Sequence, residues 1–480
     1  MIYFKLPSSP KNTYTHISID SRPELPDIFI SHSLCNYINN IKEKITTREK
    51  EWNIYKKYTN PCEYIHSIVP PKKRAVSKYK PISRSYFKML EMIREFNLDQ
   101  PANLQQSSLK VSSDRALLSF RSPHSATAEM NSVKDIFADC ANGGKMRTFH
   151  LAEGPGGFIE AICNKRNNPE DEYHGMTIIF DPTDDNVPAW HKTSYFLMKH
   201  PNIKLEYGAD NTGNLLHIEN FEYCINKYGG KMDLITADGG FDFSNDFNRQ
   251  EISIFNLLWG QTCYALCLQK YGGNFVLKIF DVFYEQTVHI LYILAAFYEE
   301  VNVCKLKTSR VGNSEKYIVC KRFRFQSCEE FYPIIHNSFL QIMQSPAGSQ
   351  SQHKEPKYHV KYTDIFAEEP QFCNLETRDS YVWRVLTSEI PRYFTKQLED
   401  INAIFGQQQI ENIHYTISLI DKQPKQDKLD QLAKQNIPKC INWCIEHGVP
   451  YNNLTVANLF EQGNQCALLC IRNPSLAFNS

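Results

Sequence analysis

Between about residues 82 and 323, apolar runs of strand length alternate with longer stretches of helical spacing, and few folds accept that alternation. "RTFHLAEG", "GMTIIFD", "IKLEYGAD", "MDLITADGG", "NFVLKIFD", "VNVCKL" and "KYIVCKRF" read as strands. Between several of them, "GFIEAICNKR", "QEISIFNLLWGQTCYALCLQKYG" and "EQTVHILYILAAFYEE" read as helices. The alternation predicts an α/β, Rossmann-like fold: a mostly parallel sheet with helices on both faces. Its two most apolar helical runs, "HILYILAAFY" and "FNLLWGQTCYALCL", are well short of the roughly 20 residues that a membrane span requires.

Around this body the expected organisation is an extension over 1–80, the α/β domain over 81–325, a linker or loop over 326–360, and a smaller, mainly helical domain over 361–480. The polar run "QSPAGSQSQHKEPK" suggests the linker. "TREKEWNIYKKY", "YFTKQLEDINAIF" and "IPKCINWCIEHG" carry helical spacing on either side. Hydrophobic residues make up 42% of the chain and charged ones 22%, enough to bury a substantial core. Fifty-three basic residues balance fifty-three acidic ones, so only local clusters can speak for a nucleic-acid partner. Fifteen cysteines without paired spacing, behind an amino terminus that lacks a secretory pattern, read as reduced thiols. The expected location is the cytoplasm or nucleus, with no membrane and no DNA partner.

The first strand of the body ends in "HLAEGPGGFIEAI", where Gly154, Pro155, Gly156 and Gly157 stand between a strand and a helix. Glycines there let the backbone approach a ligand that a Cβ would hold off. Pro155 suits the first turn of the helix, whose free N–H groups favour an anionic group. Ligands of open α/β sheets sit at the carboxyl ends of the strands, where this loop falls. Neither the dinucleotide pattern G-x-G-x-x-G nor the phosphate loop G-x-x-x-x-G-K-[ST] is present.

Three further segments place chemistry near strand ends: Asp238 in "LITADGGFD", Lys278 in "FVLKIFD" and Glu315 in "TSRVGNSEKYIVC". Lys88, in "SRSYFKMLEMI", sits on a helical pattern. A lysine crowded by a second lysine and partly desolvated has its pKa lowered. Asp238 and Glu315 would hold both ammonium groups in place. So tuned, a lysine can take a proton from a hydroxyl. The oxygen then meets an electrophile held in line, such as a methyl on a sulfonium. That step requires no metal.

"AEGPGGF", "TADGGFD", "GGNFVLKIFD" and "TSRVGNSEKYIVC" resemble the motifs of the FtsJ/RrmJ-like ribose 2′-O-methyltransferases. They are most similar to the adrift-like mRNA cap 2′-O-methyltransferases of eukaryotes and large DNA viruses, as are "YGADNTGNLL" and "NSE". The resemblance covers about residues 80–323. It implies an S-adenosylmethionine-dependent methyltransferase fold, capped mRNA as substrate, and a catalytic tetrad of Lys88, Asp238, Lys278 and Glu315, with Lys278 as proton acceptor. It also implies a donor site formed by Glu153, Gly154, Gly156, Gly157, Phe158, Asp181, Asp210 and Asp238. Two features depart from the family's pattern. Glu153 replaces a small residue, and Lys88 lies 66 residues before Gly154, with Lys134 as a rival nearer the loop.

The basic stretch "PPKKRAVSKYKPISR" offers Lys72, Lys73, Arg74 and Arg84 to RNA phosphates, and Arg310 is a second substrate-side candidate. Cys440, Cys444, His447, Cys466 and Cys470 invite a zinc reading, but C-x-x-x-C on a helical pattern is equally the spacing of buried cysteines, and no metal is expected. A methyltransferase fold that is catalytically silent and binds RNA or serves as a scaffold is the alternative function. The glycine pattern disfavours a nicotinamide-dependent oxidoreductase. Heavy use of Asn, Lys, Ile and Tyr would suit an AT-rich genome such as that of a large DNA virus.

Overall fold

The strand-length runs lie side by side in one sheet. The computed structural model describes residues 1–102, 144–178, 190, 193–240, 247–343 and 380–454. Its strands are β1 (Ile2–Lys5), β2 (Ile17–Arg22), β3 (Arg147–Leu151), β4 (Glu172–Met176), β5 (Ile203–Glu206), β6 (Met232–Ala237), β7 (Gln269–Ile279), β8 (Tyr298–Lys305), β9 (Lys316–Phe323) and β10 (Tyr381–Leu386). The first helices are α1 (His32–Thr46), α2 (Glu49–Thr59), α3 (Ser85–Phe96), α4 (Gly157–Arg166), α5 (Ser194–Lys199) and α6 (Ile218–Tyr228). They are followed by α7 (Gln250–Ser253), α8 (Phe255–Leu268), α9 (Glu285–Phe297), α10 (Tyr332–Met343), α11 (Arg392–Lys422) and α12 (Gln426–Glu446).

The main sheet runs β1-β8-β9-β7-β6-β3-β4-β5. From β7 through β5 every neighbouring pair is parallel. β9 runs antiparallel to both β7 and β8, and β1 antiparallel to β8. β3 is the centre of the winding: β4 and β5 follow on one side of it, β6 and β7 on the other. The crevice of such a doubly wound sheet opens where the order reverses, at the carboxyl ends of β3 and β6. Those are the ends that carry "AEGPGG" and "DGG".

The two most apolar helical runs become α8 and α9, which are buried around nearly their whole circumference. A helix apolar on every side belongs inside a core, and these two pack there with the buried strands. No helix among the described residues is long and apolar enough to cross a membrane.

Several boundaries differ from the sequence reading. The strand expected over "GMTIIFD" begins earlier, at Glu172, and ends at Met176, where its pairing with β3 and β5 stops. The long helical run from Gln250 ends at Leu268, and Gln269 already belongs to β7. The stretch read as a linker from 326 contains α10, whose Ile335, Phe339 and Ile342 are in the core with Phe331. An amphipathic segment next to a polar one was absorbed into it by composition alone.

The chain divides into two compact units, Met1–Lys44 with Pro81–Ile410, and Ile45–Lys80 with Glu411–Ser480. Residues 1–80, expected as one extension, are therefore shared between them. In the second unit the carboxy-terminal helices clasp the 58–78 segment. Asn436 donates to the Tyr58 carbonyl at 2.9 Å, Asn412 to that of Thr59 at 3.0 Å, and the Lys78 amide to Pro450 at 2.8 Å. Cys440 and Cys444 lie buried in this unit, and the Cys440 thiol donates to the Pro61 carbonyl. Burial pushes the Cys444 thiol up to about 12, which suits packed thiols rather than metal-binding thiolates. His447 stacks on Trp443, and Cys466 and Cys470 lie outside the described residues.

Candidate functional site

The loop after β3 is tighter than its sequence suggests. α4 starts at Gly157, and its cap residue Gly156 has φ +100°, a conformation that favours glycine. Pro155 therefore precedes the cap and lies outside the first turn. Gly157 serves packing: a Cβ there would collide with the hydroxyls of Ser83 and Ser85 and stand 3.1 Å from the Tyr86 amide. This glycine lets α4 approach the start of α3, the helix that carries Lys88. Trp190 and Thr193, which the sequence reading passed over, hold the loop's other side. The Trp190 ring would stand 3.3 Å from a Cβ on Gly156, and the Thr193 hydroxyl donates to the Pro155 carbonyl at 2.8 Å.

The helix start expected to attract an anion is met by the chain's own Glu153, whose Oε1 accepts the Phe158 amide at 2.6 Å. Burial, then the Asp238 charge, pushes the Glu153 carboxyl well above the usual carboxylate range.

Opposite this loop, α3 grips the segment between β8 and β9. Arg84, Lys88 and Glu91 follow an i, i+4, i+7 spacing that places them along one helical face. The Arg84 guanidinium donates to the Thr308 carbonyl at 3.2 Å. Glu91, buried, accepts the amides of Lys307 and Thr308 at 2.9 and 2.8 Å. Lys88 reaches the Glu315 carboxylate at 2.7 Å, and the Ser309 hydroxyl holds the other Glu315 oxygen at 2.6 Å. The Lys305 ammonium donates to the carbonyls of Asn313 and Glu315, and burial followed by the Lys316 charge pushes it down to about 7.

The four tetrad residues meet. Lys278, on β7, donates to the Asp238 carbonyl at 2.5 Å and lies 3.3 Å from its Oδ1. Lys88 pairs with Glu315. A residue absent from the sequence reading joins the two pairs: the Tyr317 hydroxyl donates to Asp238 Oδ1 at 2.7 Å and stands 3.2 Å from Lys88 Nζ. Burial pushes the Tyr317 phenol well above its ordinary value, and the charges of Asp238 and Glu315 reinforce that, so the hydroxyl keeps its proton as a donor. The signal for Tyr317 was its spacing, two residues after Glu315, since alternate residues of an extended strand share a face. Burial alone would raise the Glu315 carboxyl, but Lys88, Lys278 and the Ser309 hydroxyl outweigh it and hold the group well below its usual range.

Asp210 is engaged within its own loop: Oδ1 accepts from the Thr212 amide and hydroxyl and from Asn220, and Oδ2 pairs with His217 at 2.5 Å. Arg84 and Arg310 are half-buried around the 306–315 segment. Lys72, Lys73 and Arg74 are exposed in the second unit, on a turn closed by the Val69 amide donating to the Arg74 carbonyl at 2.9 Å. Asp181 and Lys134 lie outside the described residues.

Residues 127–323 match the family model of the FtsJ-like methyltransferases. The chain carries an FtsJ-like methyltransferase domain. It is 27% identical over 327 residues to cap-specific mRNA (nucleoside-2′-O-)-methyltransferase 2 of Danio rerio, covering 66% of this chain and 38% of that protein. Against cap-specific mRNA (nucleoside-2′-O-)-methyltransferase 1 of Caenorhabditis elegans the identity is 28% over 295 residues, 60% of this chain and 29% of that one. The namesake enzyme 1 of Trypanosoma brucei brucei is 42% identical over 119 residues, 24% of this chain and 32% of that one. The chain thus spans well under half the length of these curated relatives. The matched residues include the loop after β3, Asp238, Lys278 and Glu315.

Proposed function

We propose that this chain is an S-adenosylmethionine-dependent RNA ribose 2′-O-methyltransferase acting on the first or second transcribed nucleotide of capped mRNA. The carrying observation is the connected set Lys278–Asp238–Tyr317–Lys88–Glu315 at the mouth of the sheet. The cap-specific names of the relatives support the substrate class.

The residues around the β3 loop fit the methyl donor. The turn at Gly156 closes on Trp190 without a Cβ between them, and the buried Oε2 of Glu153 points to a polar partner beyond the loop's own amides. Residues 153–158 and Asp238 would hold the donor, which supplies an electrophilic methyl on sulfur. Asp210 would contribute by shaping the loop after β5, since its carboxylate is taken up there. Asp181 stays in this set through the resemblance.

Lys278, once its ammonium has released a proton, accepts the ribose hydroxyl proton at Nζ. Asp238 orients that amine through its carbonyl and carboxylate, and Tyr317 holds the carboxylate in turn. Lys88, locked by Glu315, supplies a fixed positive charge beside the developing oxyanion. Arg84 and Arg310 are the RNA contacts beside this segment. Lys72, Lys73 and Arg74 are a separate set of phosphate contacts, whose loss would flatten the salt dependence of binding.

The test is transfer of labelled methyl to short RNAs: uncapped, capped with a free first ribose, and capped with that ribose already methylated. The expected result is transfer to capped RNA, reduced in Lys278→Ala by about 10²–10⁴-fold, the range of a lost general base. Donor binding with no transfer to any of the three would instead support the silent RNA-binding scaffold.

A further inference from the structure

Three carboxyl groups of this site lie at the ends of β3 and β6 and at the start of β9, and two of them are matched. Glu315 has Lys88, and Asp238 has Lys278. Glu153 has neither. It is 3% exposed; Oε1 takes the Phe158 amide, and the Ile159 amide also favours the carboxylate, while Oε2 is buried and completes no hydrogen bond among the described residues. Capping α4 needs one oxygen only, which a shorter side chain could supply. A second oxygen left unpaired in a dry site costs free energy unless something else comes to it.

The groups that face Glu153 define what that something is. Asp238 comes from β6, Lys278 from β7 and Tyr317 from β9, and each interacts electrostatically with it. Lys278 offsets part of the burial and of the Asp238 charge, but its ammonium is committed to Asp238. With Glu153 ionised, the place is short of one positive charge, beside the nitrogen assigned to the reacting hydroxyl.

We propose that Glu153 is the counter-charge for the sulfonium of the methyl donor, so that the site holds the cationic donor in preference to its neutral thioether product. This rests on the methyltransferase reading above. On transfer the carbon–sulfur bond breaks with its electron pair left on sulfur, the ribose oxygen takes the carbon, and the hydroxyl proton goes to Lys278 in its neutral amine form, the ammonium having first released a proton to solvent. The positive charge has then left sulfur, and the attraction from Glu153 goes with it, which favours product release. Before the donor arrives, burial and the Asp238 charge favour the protonated form of Glu153. Pairing with the cation displaces that proton.

The experiment is calorimetric titration of the full chain with S-adenosylmethionine and, separately, S-adenosylhomocysteine, in two buffers of different ionisation enthalpy. The two ligands share the amino group, carboxylate and adenosine and differ at sulfur. Proton release is expected with the donor and not with the product. Glu153→Gln, which keeps an acceptor for Phe158, is expected to weaken the donor about tenfold or more and the product less than about threefold. Equal weakening of both ligands, or equal proton release, overturns the inference and leaves the methyltransferase reading standing. If the variant fails to fold, the wild-type proton count decides alone. If neither ligand binds the wild type, the methyltransferase reading falls and this inference with it.

Discussion

Two lysine–carboxylate clusters sit next to each other where β7 ends and β9 begins, and only one of them has the makings of an active site. The first is Lys88, Glu315, Tyr317, Asp238 and Lys278. The second is Asp281, held by Lys42 at 2.9 Å, Ser314 at 2.7 Å and Lys316 at 3.5 Å. Strand alternation separates them: Glu315 and Tyr317 turn to one face, Ser314 and Lys316 to the other. Lys278 stands opposite Tyr317 in the ladder, and Ile279 opposite Lys316.

The difference lies in what is left over. Around Asp281 both carboxylate oxygens are taken, Lys316 spends further donors on the carbonyls of Phe280 and Ser314, and Gln409 closes on the Ser314 hydroxyl at 3.2 Å. Among the described residues, both Asp281 oxygens are thus engaged by the protein itself. The first cluster lies beside the buried Oε2 of Glu153, which completes no hydrogen bond among the described residues, and opens at the carboxyl ends of the central strands. Charged residues of the same kinds, a few positions apart, thus tie α1, β7 and β9 together in one case and face the crevice in the other. Satisfaction and position, rather than charge content, separate an ion cluster that ties elements together from one that faces the crevice.

The largest expected effect that sharpens this contrast is on activity. Lys278→Ala should remove about 10²–10⁴-fold of methyl transfer, while its denaturation midpoint shifts little. A large fall in stability would show that Lys278 is structural as well, and the contrast would fail.

Asp281→Asn should do the reverse. It leaves Lys42 and Lys316 buried without their carboxylate and should cost about 3–5 kcal/mol in chemical denaturation, with the donor still bound wherever the protein is folded. This effect has a pH signature. Burial alone would raise Asp281, but Lys42 and Lys316 outweigh it and hold its folded-state pKa below the ordinary value. Its contribution is therefore fully present above about pH 3.9 and is lost as pH falls through the depressed value. The stability gap between wild type and variant should narrow in acid below that point; a gap that widened would reverse the assignment.

Tyr317→Phe is expected to be milder, about tenfold in kcat with donor affinity unchanged, because one hydrogen bond to Asp238 is lost. A change in donor affinity without one in kcat would place Tyr317 with the donor site instead. The smallest effect is expected for Asp210→Asn, about 1–2 kcal/mol at neutral pH. Burial opposes the shift, but His217, Thr212 and Asn220 pull Asp210 down to about 2. Its contribution is present above the ordinary value and fades as pH falls toward 2, as equilibrium unfolding at successive pH values would show.

Much of the architecture was legible in the chain. Periods of two and 3.6 reflect local backbone geometry, so β3, β6, β7 and β9 and helices α3, α4, α8 and α9 fell close to their expected places. The tetrad residue types were legible by resemblance, and their meeting is a matter of strand order: β6, β7 and β9 are adjacent, so Asp238, Lys278 and Glu315 converge. Composition misled where it was asked for boundaries, as at α10 and in the division of residues 1–80.

By itself the sequence determined the alternation of strands and helices, the break at the glycines, and which side chains are candidates for proton transfer. These depend on neighbours within a turn or a strand. Tertiary structure decided what each one is for. Gly157 turned out to admit α3, Glu153 to cap α4 with one oxygen and leave the other buried, and Tyr317 to bridge two ion pairs. Each of those roles depends on a partner brought close only by packing, and neither periodicity nor composition encodes the distance between residues so far apart along the chain.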